Sequence, residues 1–427
     1  MRHPSGLQLA IAGMLTLAVA MGIGRFAFTP ILPMMQEDDL DLSLAAAGWL
    51  ASANYVGYFL GALSAIWMRV SAATVIRFAL VAIAFLTAGM GVIHDQFAWF
   101  VLRGLAGIAS AWVLIFASAW VLQLLATRGK ERLSGVVFGG VGLGTVLAGG
   151  SCLIFLRFSW SSDQAWIALG AVALLLTMAS WSTYRTTIDI KVRGPDAQQT
   201  SSEAPLGSRG YVLVACYGLF GFGYIIPATF LPVMAQRAIA DPVLFGWAWP
   251  IFGSAALVST LAAGWLSARL PHRFIWAVGH VLMSIGVAVP VVWPSIAGIA
   301  LSSSCVGGTF MVVTLAAIQE ARRVAPANSA SLIATMTAAF AIGQILGPIL
   351  VSFVANEQRG LDISLIAAST LLVLSALALS LSGVRERQRV KASHVCTKRN
   401  PAVTSSAGAV TVPTGCESIV HAITLRR

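Results

Sequence analysis

Charge is scarce in this chain: Lys, Arg, Asp and Glu make up 10% of its 427 residues, against about 25% in soluble proteins. With 58% of residues hydrophobic, that shortage excludes an ordinary water-soluble domain, which needs a wettable surface as well as a core. Cysteine is nearly as sparse, at five residues. Cys152, Cys216 and Cys305 sit in apolar runs and Cys396 and Cys416 near the end; no pair has a metal-ligand or redox spacing, so they read as small packing residues. The chain also lacks a P-loop, H-E-x-x-H and G-x-S-x-G, which leaves an enzyme without a motif to stand on. No cofactor or metal is expected.

What is there is apolar sequence in lengths of about 20 residues, enough to cross a bilayer as helix. Twelve such runs occur, at 7–35, 45–68, 74–94, 97–125, 133–157, 163–184, 210–236, 243–269, 272–292, 294–321, 327–355 and 360–383. They are continuous and rich in Leu, Ala and Gly instead of alternating, which predicts an all-α integral membrane protein and not a barrel. Arg2 and His3 followed by Ala18-Val19-Ala20 imitate a secretory signal. The apolar run continues fifteen residues past Ala20, so an uncleaved first helix is expected.

Basic residues orient the spans. With the amino terminus inside, 22 of the 27 Lys and Arg fall on the inner side, and only Arg157, Arg237 and Arg359 outside. Both termini are then expected in the cytoplasm of a bacterial inner membrane. The net charge of +11 becomes a consequence of topology, with lipid headgroups as partner and no nucleic acid.

The longest polar break, "RTTIDIKVRGPDAQQTSSEAPLGSR" at 185–209, separates six runs from six. The expected organisation is a first six-helix bundle at 1–184, a cytoplasmic linker at 185–209, a second bundle at 210–383 and a disordered cytoplasmic tail at 384–427. The halves resemble each other: "MGIGRFAFTPILPMMQ" at 21 aligns without gaps on "FGFGYIIPATFLPVMA" at 220, so that Gly22, Gly24, Leu32, Pro33 and Met35 meet Gly221, Gly223, Leu231, Pro232 and Met234. Parallel repeats of six spans are one plan of secondary transporters.

Against that background "GIGRFAFTP" at 22–30 stands out, because Arg25 places a full charge inside a span. Arg103 does the same in the fourth run, and none of the 16 acids lies mid-span. A buried guanidinium without a carboxylate must find carbonyls, water or an anion. Arg25 is therefore either a substrate or coupling residue, or a structural charge bonded to carbonyls loosened by Pro30 and Pro33. Glu37, about twelve residues and roughly 18 Å along a helix, is too distant to pair with it in one straight helix, and remains a coupling candidate. Tyr224 occupies the repeat position of Arg25 and shares a face with Tyr217; with Asn54, Tyr58 and Gln344 these are the other candidate substrate contacts, each with helix packing as the alternative. His280 is the one mid-span group that titrates near neutrality. Gly140 and Gly144 in the fifth run, and Gly343, Gly347 and Pro348 in the eleventh, mark either tight packing or the place where two halves rock.

The stretches "GIGRFAFTPILP", "AGWLASANYVGYFLGAL", "VLRGLAGIASAWV", "GVVFGGVGLG" and "ATMTAAFAIGQILGP" resemble the major facilitator superfamily, and more closely its bacterial YbfB-like branch. The resemblance implies twelve helices in two pseudosymmetric bundles around a cavity lined by the first, fourth, seventh and tenth helices. It also implies that Arg103 with Gly107 forms the R-x-x-x-G motif, which ties the fourth helix to the first and assists proton transfer. Gly140-x-x-x-Gly144 resembles the fifth-helix antiporter motif, with Thr145 in place of its proline. The loop motif is degraded, with Ala65 and Ala268 where acids belong, so the usual charge clasp is expected to be absent or differently built. The expected function is secondary transport of a small organic solute, an anion or amphiphile favoured by Arg25, proton-linked or by exchange, in a protein acting as a monomer. The alternatives are a multidrug-type efflux pump and a non-transporting membrane sensor.

Overall fold

The computed structural model describes residues 5–38, 42–65, 67–185, 208–239, 241–326, 329–354 and 359–399. Twelve long helices carry the fold: α1 (Gly6–Asp38), α2 (Leu44–Ser64), α3 (Ala72–Gly89), α4 (Gln96–Thr127), α5 (Ser134–Arg157), α6 (Ser162–Trp181), α7 (Ser208–Ala238), α8 (Ala248–Ser267), α9 (His272–Val292), α10 (Ile296–Val324), α11 (Ser329–Val354) and α12 (Gly360–Arg399). All but α2 are long and apolar enough to cross a membrane by length and composition. α2 has the length, at 21 residues, but Asn54, Tyr55 and Tyr58 lower its mean hydropathy.

Local signals start the helices. The Ser5 hydroxyl accepts from the Gln8 amide while Gln8 Oε1 accepts from the Ser5 N–H, and Ser161 with Gln164 repeats this reciprocal cap on α6. Ser43, Ser71, Asp95 and Ser295 cap α2, α3, α4 and α10, each satisfying an amide that the first turn leaves without a partner.

Within the first half, α2 packs on α4, α3 on α4 and α6, and α1 on α5; in the second, α7 packs on α11, α10 on α8 and α9, and α12 on α7 and α9. The halves meet through α2 with α11, α5 with α8, and the last third of α1 with α7, while α4 and α10 do not form a packed pair. Their joint is polar at one end. Thr29 Oγ1 donates to the Ala228 carbonyl at 3.0 Å and Gln236 Nε2 to Glu37 Oε1 at 3.2 Å, in both cases across 199 residues. Ser52 and Ser352 donate to the carbonyls of Ile345 and Ala45, closing the same end between α2 and α11.

Glycines set the approach of the backbones. A Cβ on Gly140 or Gly144 would overlap the carbonyls of Met14 or Ala18 in α1, whereas Gly142 and Gly149 face Leu257 and Pro250 of α8. Residues 140 and 144 lie on one face of α5 and 142 and 149 on the other. The candidate rocking glycines Gly140 and Gly144 therefore pack inside the first half. Gly343 and Gly347 likewise face α7 within the second half, so the helices expected at the joint are there but turn these four glycines away from it. At the joint itself are Pro348, whose carbonyl accepts from Ser352 Oγ at 2.9 Å, and Gly48, where a Cβ would meet that same carbonyl.

The tail differs from expectation in its first part. α12 continues through Gly383 to Arg399, into the segment expected to be disordered. Residues 384–399 hold no Gly or Pro and many Arg, Lys, Glu and Gln, whose helix propensity lets the helix run on until Pro401 approaches. Residues 400–427 and the linker segment 186–207 lie outside the described residues.

Candidate functional site

The site grows out of a fault in α1. Its first α-helical stretch ends at Leu17, a π-helical segment covers Ala18–Ile23, and the α-helix resumes at Phe28. In the fault the amides of Gly24 and Phe26 reach back five residues, to Val19 and Met21. Pro30 has no N–H to give the Phe26 carbonyl, which instead accepts from Thr29 at 3.2 Å. The carbonyls of Gly24 and Arg25 are thereby released from the helix ladder, and inside a membrane such groups need other donors.

Asn54 and Arg103 supply them. Asn54 Nδ2 donates to the Gly24 carbonyl at 3.4 Å and to the Arg103 carbonyl at 2.9 Å, and Arg103 Nη2 donates to the Arg25 carbonyl at 3.2 Å. Three helices are stapled at one point. The approach of α4 to α2 rests on Gly107, where a Cβ would overlap the Asn54 carbonyl. Arg103 also lies over the Phe28 ring at 4.8 Å. The loosened carbonyls thus go to Asn54 and Arg103, and Asn54, expected among the substrate contacts, spends its Nδ2 on backbone while its Oδ1 keeps no partner.

Arg25 itself is 2% exposed, and its Nε and Nη2 have no hydrogen-bond partner. What surrounds it is aromatic: Tyr58 at 4.2 Å from the guanidinium carbon to ring centroid, Tyr55 at 5.2 Å and Phe26 at 5.4 Å. Cation–π attraction at a desolvated site contributes about 2 kcal/mol, which offsets part of the burial cost without neutralising the charge.

Across the joint the second half presents rings. Tyr55 Oη and Thr229 Oγ1 are 3.1 Å apart, linking α2 to α7. Gln344 Nε2 donates to Tyr224 Oη, and Tyr224 stacks nearly parallel on Phe310 and Phe340, at 5.8 and 5.6 Å between centroids. Tyr217 stacks on Phe340 at 5.0 Å and meets Trp276 edge-on. Ring contacts run from Tyr224 through Phe310, Phe252 and Trp249 to Phe26 beside Arg25, so one run of rings links Tyr217, Tyr224 and Gln344 to Arg25 and Tyr58 across the joint. Two candidates do not join them. Glu37 is exposed at the closed end, and His280 is buried in α9, with Nε2 accepting from Trp276 Nε1 at 2.9 Å and Phe220 against its ring.

An ion cluster ties α9 to α10. Glu320, 1% exposed near the end of α10, takes Arg273 at 2.8 Å and both Nε and Nη2 of Arg323 at 2.9 and 2.8 Å. It is the one buried carboxylate among the described residues, and no group of three or more His, Cys, Asp or Glu there suits a metal.

A family described as uncharacterised MFS-type transporter YbfB matches residues 17–380. The chain belongs to that family. This MFS transporter is multi-pass and all-helical, and its solved relatives agree on the fold. The nucleoside transporter NupG superimposes with a TM-score of 0.64 at 18% identity, over 88% of this chain and 98% of NupG. An alanine-substituted form of NupG gives 0.67 at 18%, over 88% and 99%. A bacterial homologue of the human lysosomal transporter Spinster, inward-facing and unoccupied, gives 0.66 at 14%, over 89% and 97%. No curated protein matches the chain.

Sequence reasoning missed Tyr55, although its spacing of three from Tyr58 puts both on one face of α2. It did not single out Phe310, Phe340 or Trp249, because an aromatic in a span has no signal that separates it from ordinary packing.

Proposed function

We propose that this MFS transporter carries a small organic anion or anionic amphiphile across the bacterial inner membrane by alternating access, with both termini in the cytoplasm. One observation carries the reading: Arg25 is buried with its Nε and Nη2 nitrogens unpartnered, at a break in α1 and beside the joint between halves. Broken helices at the interface of repeats are where secondary transporters place their substrates. A planar guanidinium matches a carboxylate or phosphate with two hydrogen bonds and stays charged. Alternating access would open such a centre to one side of the membrane at a time.

Coupling follows from charge. Glu320 is engaged by two arginines and Glu37 is exposed, so the counter-charge to Arg25 is the solute itself, moved in exchange for another anion or with a proton. A thermal-shift screen against carboxylates, phosphates, sugars and hydrophobic cations, run on wild type and Arg25→Gln, tests this. An anion should stabilise wild type and lose at least tenfold in affinity in the variant, about 1.4 kcal/mol. A neutral or cationic ligand that stabilises both proteins equally would sink the proposal. Proteoliposomes loaded with the ligand then separate exchange from proton linkage, by whether uptake needs internal ligand or a pH gradient.

A further inference from the structure

We infer that the solute is an organic anion built on a planar aromatic ring; the inference rests on the anion reading of Arg25 just given. The binding charge is that of Arg25, whose Nε and Nη2 are without partners, while Arg103 donates through Nη2 to the α1 backbone and lies over Phe28.

The body of the ligand is read from the walls. Tyr58, half-buried, lies over Arg25, and Phe340, half-buried, lies across the joint. Behind Phe340 the rings of Tyr224 and Phe310 continue in nearly the same orientation, with interplanar angles of 9° and 3°. From Phe310 the ring contacts run on through Phe252 and Trp249 to Phe26, next to Arg25. A cation at one end of such a run of ring contacts fits a flat ligand with a carboxylate at one end. Offset stacking on such faces contributes beyond burial, and a saturated ring of equal size cannot make it.

The test compares three probes on the purified full chain: benzoate, cyclohexanecarboxylate with the same charge but a puckered ring, and benzyl alcohol with the ring but no charge. Thermal shift and calorimetry should show benzoate binding roughly three- to tenfold more tightly than cyclohexanecarboxylate, and no response to benzyl alcohol. Phe340→Leu should erase the difference between the two acids while both still bind. Should that variant fail to fold, Phe310→Leu serves the same comparison. Equal binding of the two acids, both lost in Arg25→Gln, would overturn the aromatic ring and leave the anion reading standing. Benzoate binding unchanged in Arg25→Gln would overturn the anion reading and this inference together, and silence towards both acids would overturn the aromatic anion.

Discussion

The two halves share a plan and divide the work. In the first, two arginines lie inside the span region, Arg25 with Nε and Nη2 unpartnered and Arg103 bonded to backbone through Nη2 with Nε unpartnered. In the second, the repeat position of Arg25 is Tyr224, and the buried charges of Arg273 and Glu320 sit near helix ends, paired with each other and with Arg323. α1 is broken by a π-helical segment, while α7 runs unbroken from Ser208 to Ala238 through Pro227 and Pro232. One bundle supplies an uncompensated charge and the other a shaped apolar wall. A buried charge without its partner costs stability, and we propose that Arg25 is kept at that cost to hold the ligand.

Substitutions can break that contrast. The largest effect is expected from Tyr224→Arg, which gives the second half an unpaired cation close to the first. At a cost of about 3 kcal/mol or more, folded protein should largely vanish from size-exclusion chromatography. Next comes Glu320→Gln, which deprives buried Arg273 of its counter-charge and should destabilise by about 3 kcal/mol, read as a lower melting temperature. Arg25→Met should do the opposite. Removing a charge that has no partner should leave stability unchanged or raise it by about 1 kcal/mol, while ligand binding is lost; a clear fall in melting temperature would make Arg25 a structural residue. The smallest effect belongs to Thr29→Val, which removes one hydrogen bond across the joint, worth about 1 kcal/mol. Labelling of Ala228→Cys by an impermeant thiol reagent from outside should then speed up about fivefold, at tenfold per 1.4 kcal/mol.

Much of this division was legible in the sequence. Hydropathy located all twelve helices, since spans in lipid must be long, apolar and self-bonded. The ungapped offset of 199 predicted equivalent first and seventh helices, and in the structure Thr29 touches Ala228 and Glu37 touches Gln236 at that offset. Equivalent positions meet because they lie beside the axis relating the halves. Arg25 was visible as a charge without an acid. The break beneath it was not, because its carbonyls are held by Asn54 and Arg103 from other helices, and a tertiary donor leaves no periodic trace. The facing of Gly140 and Gly144 was hidden for a related reason: their spacing of four shows that some helix comes close, without saying which. The ion cluster at Glu320 escaped because its partners lie on two helices 47 residues apart.

The length of α12 has a consequence outside the bilayer. Its 40 residues make a rod of about 60 Å at helical rise, twice the roughly 30 Å of hydrocarbon that a span must cross. About half of that rod therefore projects from the transport unit as an arm. An even number of crossings puts it on the face where the chain passes from one bundle to the next. The protein's footprint on that face is set by the sweep of this arm as well as by the girth of its helices, which governs how closely neighbours can crowd it there.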